Sequence, residues 1–162
     1  MRKLNLILAI LSTLALLSSA GATPYTLNND SKNVESFVQQ HLGQDRYDLV
    51  MFWATFCEPC KRDFKKIAQL MQEYPDIHMT IIGVVIDGEE NPKLTERLIQ
   101  ENQLNYAHIL TNFDAANIYH SSVAGKNLLG TPSYLLYDHT NNMIAEHESR
   151  IDLDALLMLV ED

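Results

Sequence analysis

The sequence predicts one α/β domain, a mixed central sheet with helices on both faces. Three observations predict it. Short apolar runs of strand length alternate with stretches of helical periodicity. Two late strand-like runs are joined by a tight turn and followed by a helix. The 162 residues are 46% hydrophobic and 20% charged, which suits one domain with a core of its own. Six glycines and five prolines exclude a collagen-like chain, and two cysteines are too few for a disulfide-knit miniprotein. The formal charge of −9 argues against nucleic acid as a partner, because phosphate contact needs a basic surface.

The first 22 residues read as a targeting segment apart from the fold. Arg2 and Lys3 precede an apolar run from Leu4 to Leu17, broken by Asn5, Ser12 and Thr13, and Ala20-Gly21-Ala22 fits a signal-peptidase site. The alternative is a retained N-terminal membrane anchor. The run is shorter than the roughly 20 apolar residues that span a bilayer, which favours a cleaved signal and an exported, periplasmic-type location. The domain then covers residues 23–162. Losing Arg2 and Lys3 leaves ten basic against 21 acidic residues, a formal −11.

The elements follow in order. Asn28 to Ser31 suits a cap, and Val34, Phe37, Val38 and Leu42 share one helical face over 31–42. Leu49 to Trp53 is a continuous apolar run, the mark of a central strand over 48–55. Phe64, Ile67, Met71 and Tyr74 recur at helical spacing from Glu58 until Pro75 stops them. Met79 to Ile86 is a second buried strand, and Asp87 to Asn91 reads as an acidic solvated loop. Pro92 suits the first turn of a helix to about Asn102. A short strand over 106–110 and a short helix over 114–121 follow. Strands over 133–138 and 143–147 meet at a turn around Asn141-Asn142, and Leu153, Leu156, Leu157 and Val160 form a closing amphipathic helix.

The chemistry gathers where the first long strand meets its helix, at Cys57-Glu58-Pro59-Cys60. A C-x-x-C pair closes too short a loop to be an effective staple, so it reads as a reactive pair or a metal ligand pair. Strand, C-x-x-C, then helix within an α/β pattern favours redox chemistry. Cys57 falls at the helix N-terminus, where unpaired N–H groups favour the thiolate, and is the expected nucleophile. Cys60, one turn in, is the expected resolving thiol. Pro59 fits the first turn. A closed zinc site needs about four ligands. None of His41, His78, His108, His120, His139 and His147 is spaced near the pair, so the reading assigns no metal and no cofactor. His41 reads as flanking a helix–sheet contact, and His139 as an exposed turn residue.

From about Asp48 onward the chain resembles the thioredoxin superfamily, and within it the exported TlpA/ResA-like thiol-disulfide oxidoreductases. The resemblance rests on Phe52-Trp53-Ala54-Thr55-Phe56-Cys57-Glu58-Pro59-Cys60-Lys61 and on Gly130-Thr131-Pro132-Ser133-Tyr134-Leu135-Leu136-Tyr137-Asp138. It implies a cis bond before Pro132, with the backbone of Thr131 offered to a bound partner. It also implies that the stretch from Asp87 to Leu129 contains the extra strand and helix of TlpA-like members.

Three departures stand out. Met51 occupies the place of thioredoxin's buried aspartate, Phe56 that of a common tryptophan, and Lys65 that of a helix proline. Asp63 stands where ResA-like proteins carry a glutamate. It is either the proton acceptor for Cys60 or a solvated residue among Lys61, Arg62, Lys65 and Lys66. Glu58 opposes thiolate formation and reads as tuning the potential. Trp53, Phe56, Thr131 and Pro132 are the expected substrate contacts, although Trp53 also reads as core or pocket wall.

The resemblance implies protein thiols and disulfides as substrates, favours a reductant of the cytochrome c maturation type, and implies a membrane thiol-disulfide transporter as its source of electrons. A periplasmic disulfide oxidase or isomerase, and a redox-inactive peptide-binding module, are the alternatives. Oligomeric state is left open.

Overall fold

The computed structural model describes residues 25–27 and 31–160; the targeting segment expected over 1–22 and the cap at Asn28 to Asp30 lie outside them. The described chain runs β1 (Tyr25–Leu27), α1 (Ser31–His41), β2 (Tyr47–Trp53), α2 (Glu58–Glu73), β3 (Met79–Val85), α3 (Pro92–Glu101), β4 (Ala107–Leu110), α4 (Phe113–Ala124), β5 (Ser133–Tyr137), β6 (Met143–Glu148) and α5 (Leu153–Val160). Among the described residues no helix is long and apolar enough to cross a membrane.

The strands form one sheet in the order β1-β4-β3-β2-β5-β6. The pairs β1–β4, β4–β3 and β3–β2 are parallel, while β2–β5 and β5–β6 are antiparallel. Central β2 is apolar on both faces because both are covered: Leu49 to Trp53 are all buried. Each such side chain contributes about 1.5–3 kcal/mol of burial. The stretch between β3 and β5 supplies α3, β4 and α4, with β4 wedged between β1 and β3. β1 was not expected from sequence, since three residues carry no periodicity.

Alternation along the strands sorts the two faces. Phe52 meets Tyr119 and His120 of α4 on one face, while Trp53 packs edge-on against Phe64 of α2 on the other. On the Trp53 side β3 has Gly83, where a Cβ would run into Nδ1 of His108, so the absent side chain makes room for that buried ring. The hairpin between β5 and β6 turns through Asn141 at φ 65°, a left-handed conformation that asparagine tolerates. Asp138 Oδ1 accepts from the N–H groups of Thr140 and Asn142 and closes that turn.

Candidate active site

β2 ends at Trp53, and the next three residues carry the chain to the disulfide-bonded pair Cys57–Cys60 at the start of α2. Cys57 is the N-cap of that helix, with extended backbone, and Pro59 lies in its first turn. The Cys60 N–H donates to Cys57 Sγ at 3.2 Å. An N–H aimed at this sulfur, together with the helix dipole, lowers the energy of a thiolate on Cys57 when the disulfide is open. Cys57 keeps 4% of its surface exposed and Cys60 none. Of the two cysteines, Cys57 is thus the one that reaches the surface.

Glu58 is exposed and pairs with Lys61 at 2.6 Å. The hydrogen bond from Lys61, and then its charge, hold the Glu58 carboxyl below the ordinary carboxylate range. Lys61 thus offsets much of the anionic charge that Glu58 brings to Cys57.

The Thr131–Pro132 bond is cis. Ser133 pairs with Phe52, which brings this loop to the sheet end where the cysteine turn begins. Pro132 is buried and Thr131 half-buried. Phe56, one residue before Cys57, is 73% exposed, and Leu129, two before Thr131, is 79% exposed. Both loops therefore present an apolar side chain to solvent. No sequence signal marks Leu129, because the pair Leu128-Leu129 reads as core.

Trp53 corrects one expectation. It has no exposed surface, so it backs the site from the core and is closed to a substrate.

Asp63 resolves its two readings in favour of burial. It is fully buried, one helical turn beyond Cys60 and on the same helix face, and is not a solvated member of the basic cluster. Its Oδ2 accepts from the Tyr134 hydroxyl at 2.9 Å and from the Ile151 N–H at 2.9 Å. Oδ1 has no hydrogen-bond donor, with Arg150 Nε 3.9 Å away. Burial, and next the charge of Asp63, push the Tyr134 phenol far up, so Tyr134 stays a donor. A cavity of about 230 Å³ between α5 and the β5–β6 hairpin reaches both Tyr134 and Ile151.

Asp87 corrects a second expectation. It is buried, not solvated: Oδ1 accepts from the Thr55 N–H at 2.9 Å, and Oδ2 accepts from the Thr55 hydroxyl. Asn91 Nδ2 adds a longer contact to Oδ2. The end of β3 thus anchors the loop two residues ahead of Cys57. The only hint in the sequence is a threonine before the pair and an aspartate after a buried strand, 32 residues apart.

A family model described as AhpC/TSA matches residues 20–145. Thiol-disulfide oxidoreductase ResA of Oceanobacillus iheyensis is 30% identical over 86 residues, which are 52% of this chain and 44% of that protein. The chain thus aligns with less than half the length of this curated relative.

Among solved structures, the thioredoxin domain of a thiol-disulfide oxidoreductase from Bacteroides vulgatus superposes with a TM-score of 0.56 at 22% identity, covering 72% of this chain and 81% of that one. StoA from Bacillus subtilis gives 0.53 at 16% identity over 70% and 81%. A DsbF homologue from Corynebacterium diphtheriae gives 0.60 at 13% identity over 73% and 72%. At these identities the superpositions establish the thioredoxin-like fold. The family match spans more than three quarters of the sequence, and the chain belongs to the AhpC/TSA family.

Proposed function

We propose that the protein is an exported thiol-disulfide oxidoreductase that exchanges electron pairs with protein substrates through Cys57 and Cys60. The observation that carries this reading is the Cys57–Cys60 disulfide at the start of α2, with the Cys60 N–H on Cys57 Sγ. In the reducing direction the Cys57 thiolate attacks a substrate disulfide, forming a mixed disulfide and releasing one substrate thiolate. The Cys60 thiolate then attacks Cys57 Sγ, closes the intramolecular disulfide and releases the second substrate thiolate. Asp63 takes the proton from the Cys60 thiol as it ionises, its free Oδ1 being the receiving atom. Clients rest on Phe56 and Leu129 and pair along the backbone of Thr131 before Pro132. Re-reduction needs a dithiol partner, and a membrane thiol-disulfide transporter fits an exported domain.

The reductant assignment follows the likeness to ResA and is tested by a potential. A value near about −270 mV marks a reductant, while one near about −120 mV marks an oxidant and overturns the assignment. Exchange itself is tested by insulin reduction, which Cys57→Ser abolishes. Cys60→Ala leaves the mixed disulfide on Cys57 unresolved, so clients accumulate as trapped adducts. Negligible turnover by wild type with intact client binding would identify a peptide-binding module instead.

A further inference from the structure

On the sheet face opposite Asp63, three side chains turn uncommitted polar atoms toward one another. His120 of α4 is fully buried, and its Nδ1 lies 3.0 Å from the carbonyl of Lys126. A carbonyl only accepts, so Nδ1 carries the proton and a neutral ring presents a bare lone pair at Nε2. Nε2 has no hydrogen-bond partner and lies 3.8 Å from Glu146 Oε1. Glu146 Oε1 and Glu148 Oε1 are likewise buried without donors. One ligand atom from each of the three residues lies within 4.8 Å of the others. Lys126 Nζ holds the outer oxygen of Glu146 at 2.8 Å and stands 3.9 Å from Glu148 Oε1.

Lys126 covers only the outer side, bonding the other oxygen of Glu146 and standing beyond hydrogen-bond reach of Glu148 Oε1, so the three inward acceptors still lack a positive centre of their own. A proton on Nε2 reaches one carboxylate at best, and at 3.8 Å that contact is too long for a hydrogen bond. A water has two hydrogens for three acceptors. A divalent ion satisfies all three; tetrahedral ligands around zinc stand about 3.4 Å apart, so the side chains must draw in from separations of 3.8 Å for His120 and Glu146 and of up to 4.8 Å across the cluster. The carbonyl on Nδ1 fixes the tautomer and ring orientation in the manner usual for ligating histidines.

We infer that His120, Glu146 and Glu148 form a binding site for a divalent transition ion of the zinc class, with its fourth position open toward the half-exposed Lys126. Imidazole with two carboxylates suits zinc better than magnesium or calcium. Glu148 pairs with Ser133 across the sheet, and the Ser149 N–H donates to the Pro132 carbonyl. The ion would therefore tie α4 to edge strand β6 directly behind the cis-proline loop.

The test uses the oxidised, chelator-stripped full chain, in which the disulfide keeps both thiols from binding zinc. Calorimetric titration with zinc should give one saturable equivalent per chain and raise the Tm, whereas magnesium and calcium should leave the Tm unchanged. His120→Gln or Glu148→Gln should weaken zinc more than about 100-fold, the upper end of what losing a mere orienting partner costs. Nitrogen-15 spectra of wild type should show zinc shifting Nε2 of His120 while the Nδ1 proton persists, which decides the matter if either variant fails to fold. Zinc binding that survives His120→Gln overturns the site. So does a His120 ring that is an imidazolium at neutral pH and indifferent to zinc.

Discussion

Asp63 and Asp87 are both carboxylates withdrawn from water at the cysteine end of the sheet, and their surroundings treat them oppositely. Both oxygens of Asp87 are engaged by Thr55, with a further contact from Asn91. Asp63 has two donors on Oδ2 and none on Oδ1. A carboxylate with a donor on each oxygen is a strut. One with an oxygen left open, a helical turn from Cys60, retains capacity to take a proton. Burial alone does not separate the two; satisfaction of the hydrogen bonds does.

The largest effect expected from this contrast is on stability, at Asp87. Asp87→Ala strips partners from the buried Thr55 N–H and hydroxyl together, and unpaired buried groups cost about 1–3 kcal/mol each. A loss of about 4 kcal/mol in urea unfolding is expected, while Asp87→Asn, which keeps an acceptor for the N–H, should lose about half as much. Stability unchanged in Asp87→Ala would remove the strut from the comparison.

Neither aspartate was fully legible in the sequence, and the reason is geometric. The strand and helix pattern could be read because apolar periodicity is local: the runs at Leu49 to Trp53 and Met79 to Ile86 both became buried strands. The cysteine pair was legible for the same reason, its spacing and its place at a helix start lying within four residues. Asp87, however, sits in an acidic run whose Glu89 and Glu90 do face solvent, and its partner Thr55 lies 32 residues away. Asp63 sits among lysines, and Tyr134 and Ile151 reach it from 71 and 88 residues away. The His120 cluster is likewise assembled by the β5–β6 pairing and the placement of α4. Long-range polar satisfaction leaves no periodic trace in a chain.

The next effect concerns the acid range in which Asp63 can be studied. Burial holds the His108 imidazole down at about 4 from its ordinary 6.5. Between those values the unfolded chain binds a proton that the folded chain refuses. His108 therefore costs nothing above about pH 6.5, and stability falls as pH drops through the window, by about 3 kcal/mol at its foot. Urea unfolding at pH 7, 5.5 and 4 measures this, and His108→Gln should flatten that part of the profile. An unchanged profile in the variant would assign the acid loss to the carboxylates and bring Asp63 and Asp87 back into question.

The smallest effect expected is the most diagnostic, because it separates proton transfer from support. Asp63→Asn keeps the size of the side chain and an oxygen for Tyr134 and Ile151, but it cannot accept a proton from Cys60. Exchange measured above pH 6.5, where His108 does not interfere, should fall about 10- to 100-fold, some 1.4–2.7 kcal/mol of barrier. Stability should hold or rise, since a buried charge with one unpaired oxygen is removed. The step that slows should be resolution by Cys60, with first attack by Cys57 nearly unaffected, so the mixed disulfide should persist longer under quenched-flow sampling. Raising the pH toward the ordinary thiol range should recover much of the rate, because solvent then ionises Cys60 without help. A variant that loses stability along with rate, and gains nothing from alkaline pH, would make Asp63 a strut of the same kind as Asp87, and the contrast between them would collapse.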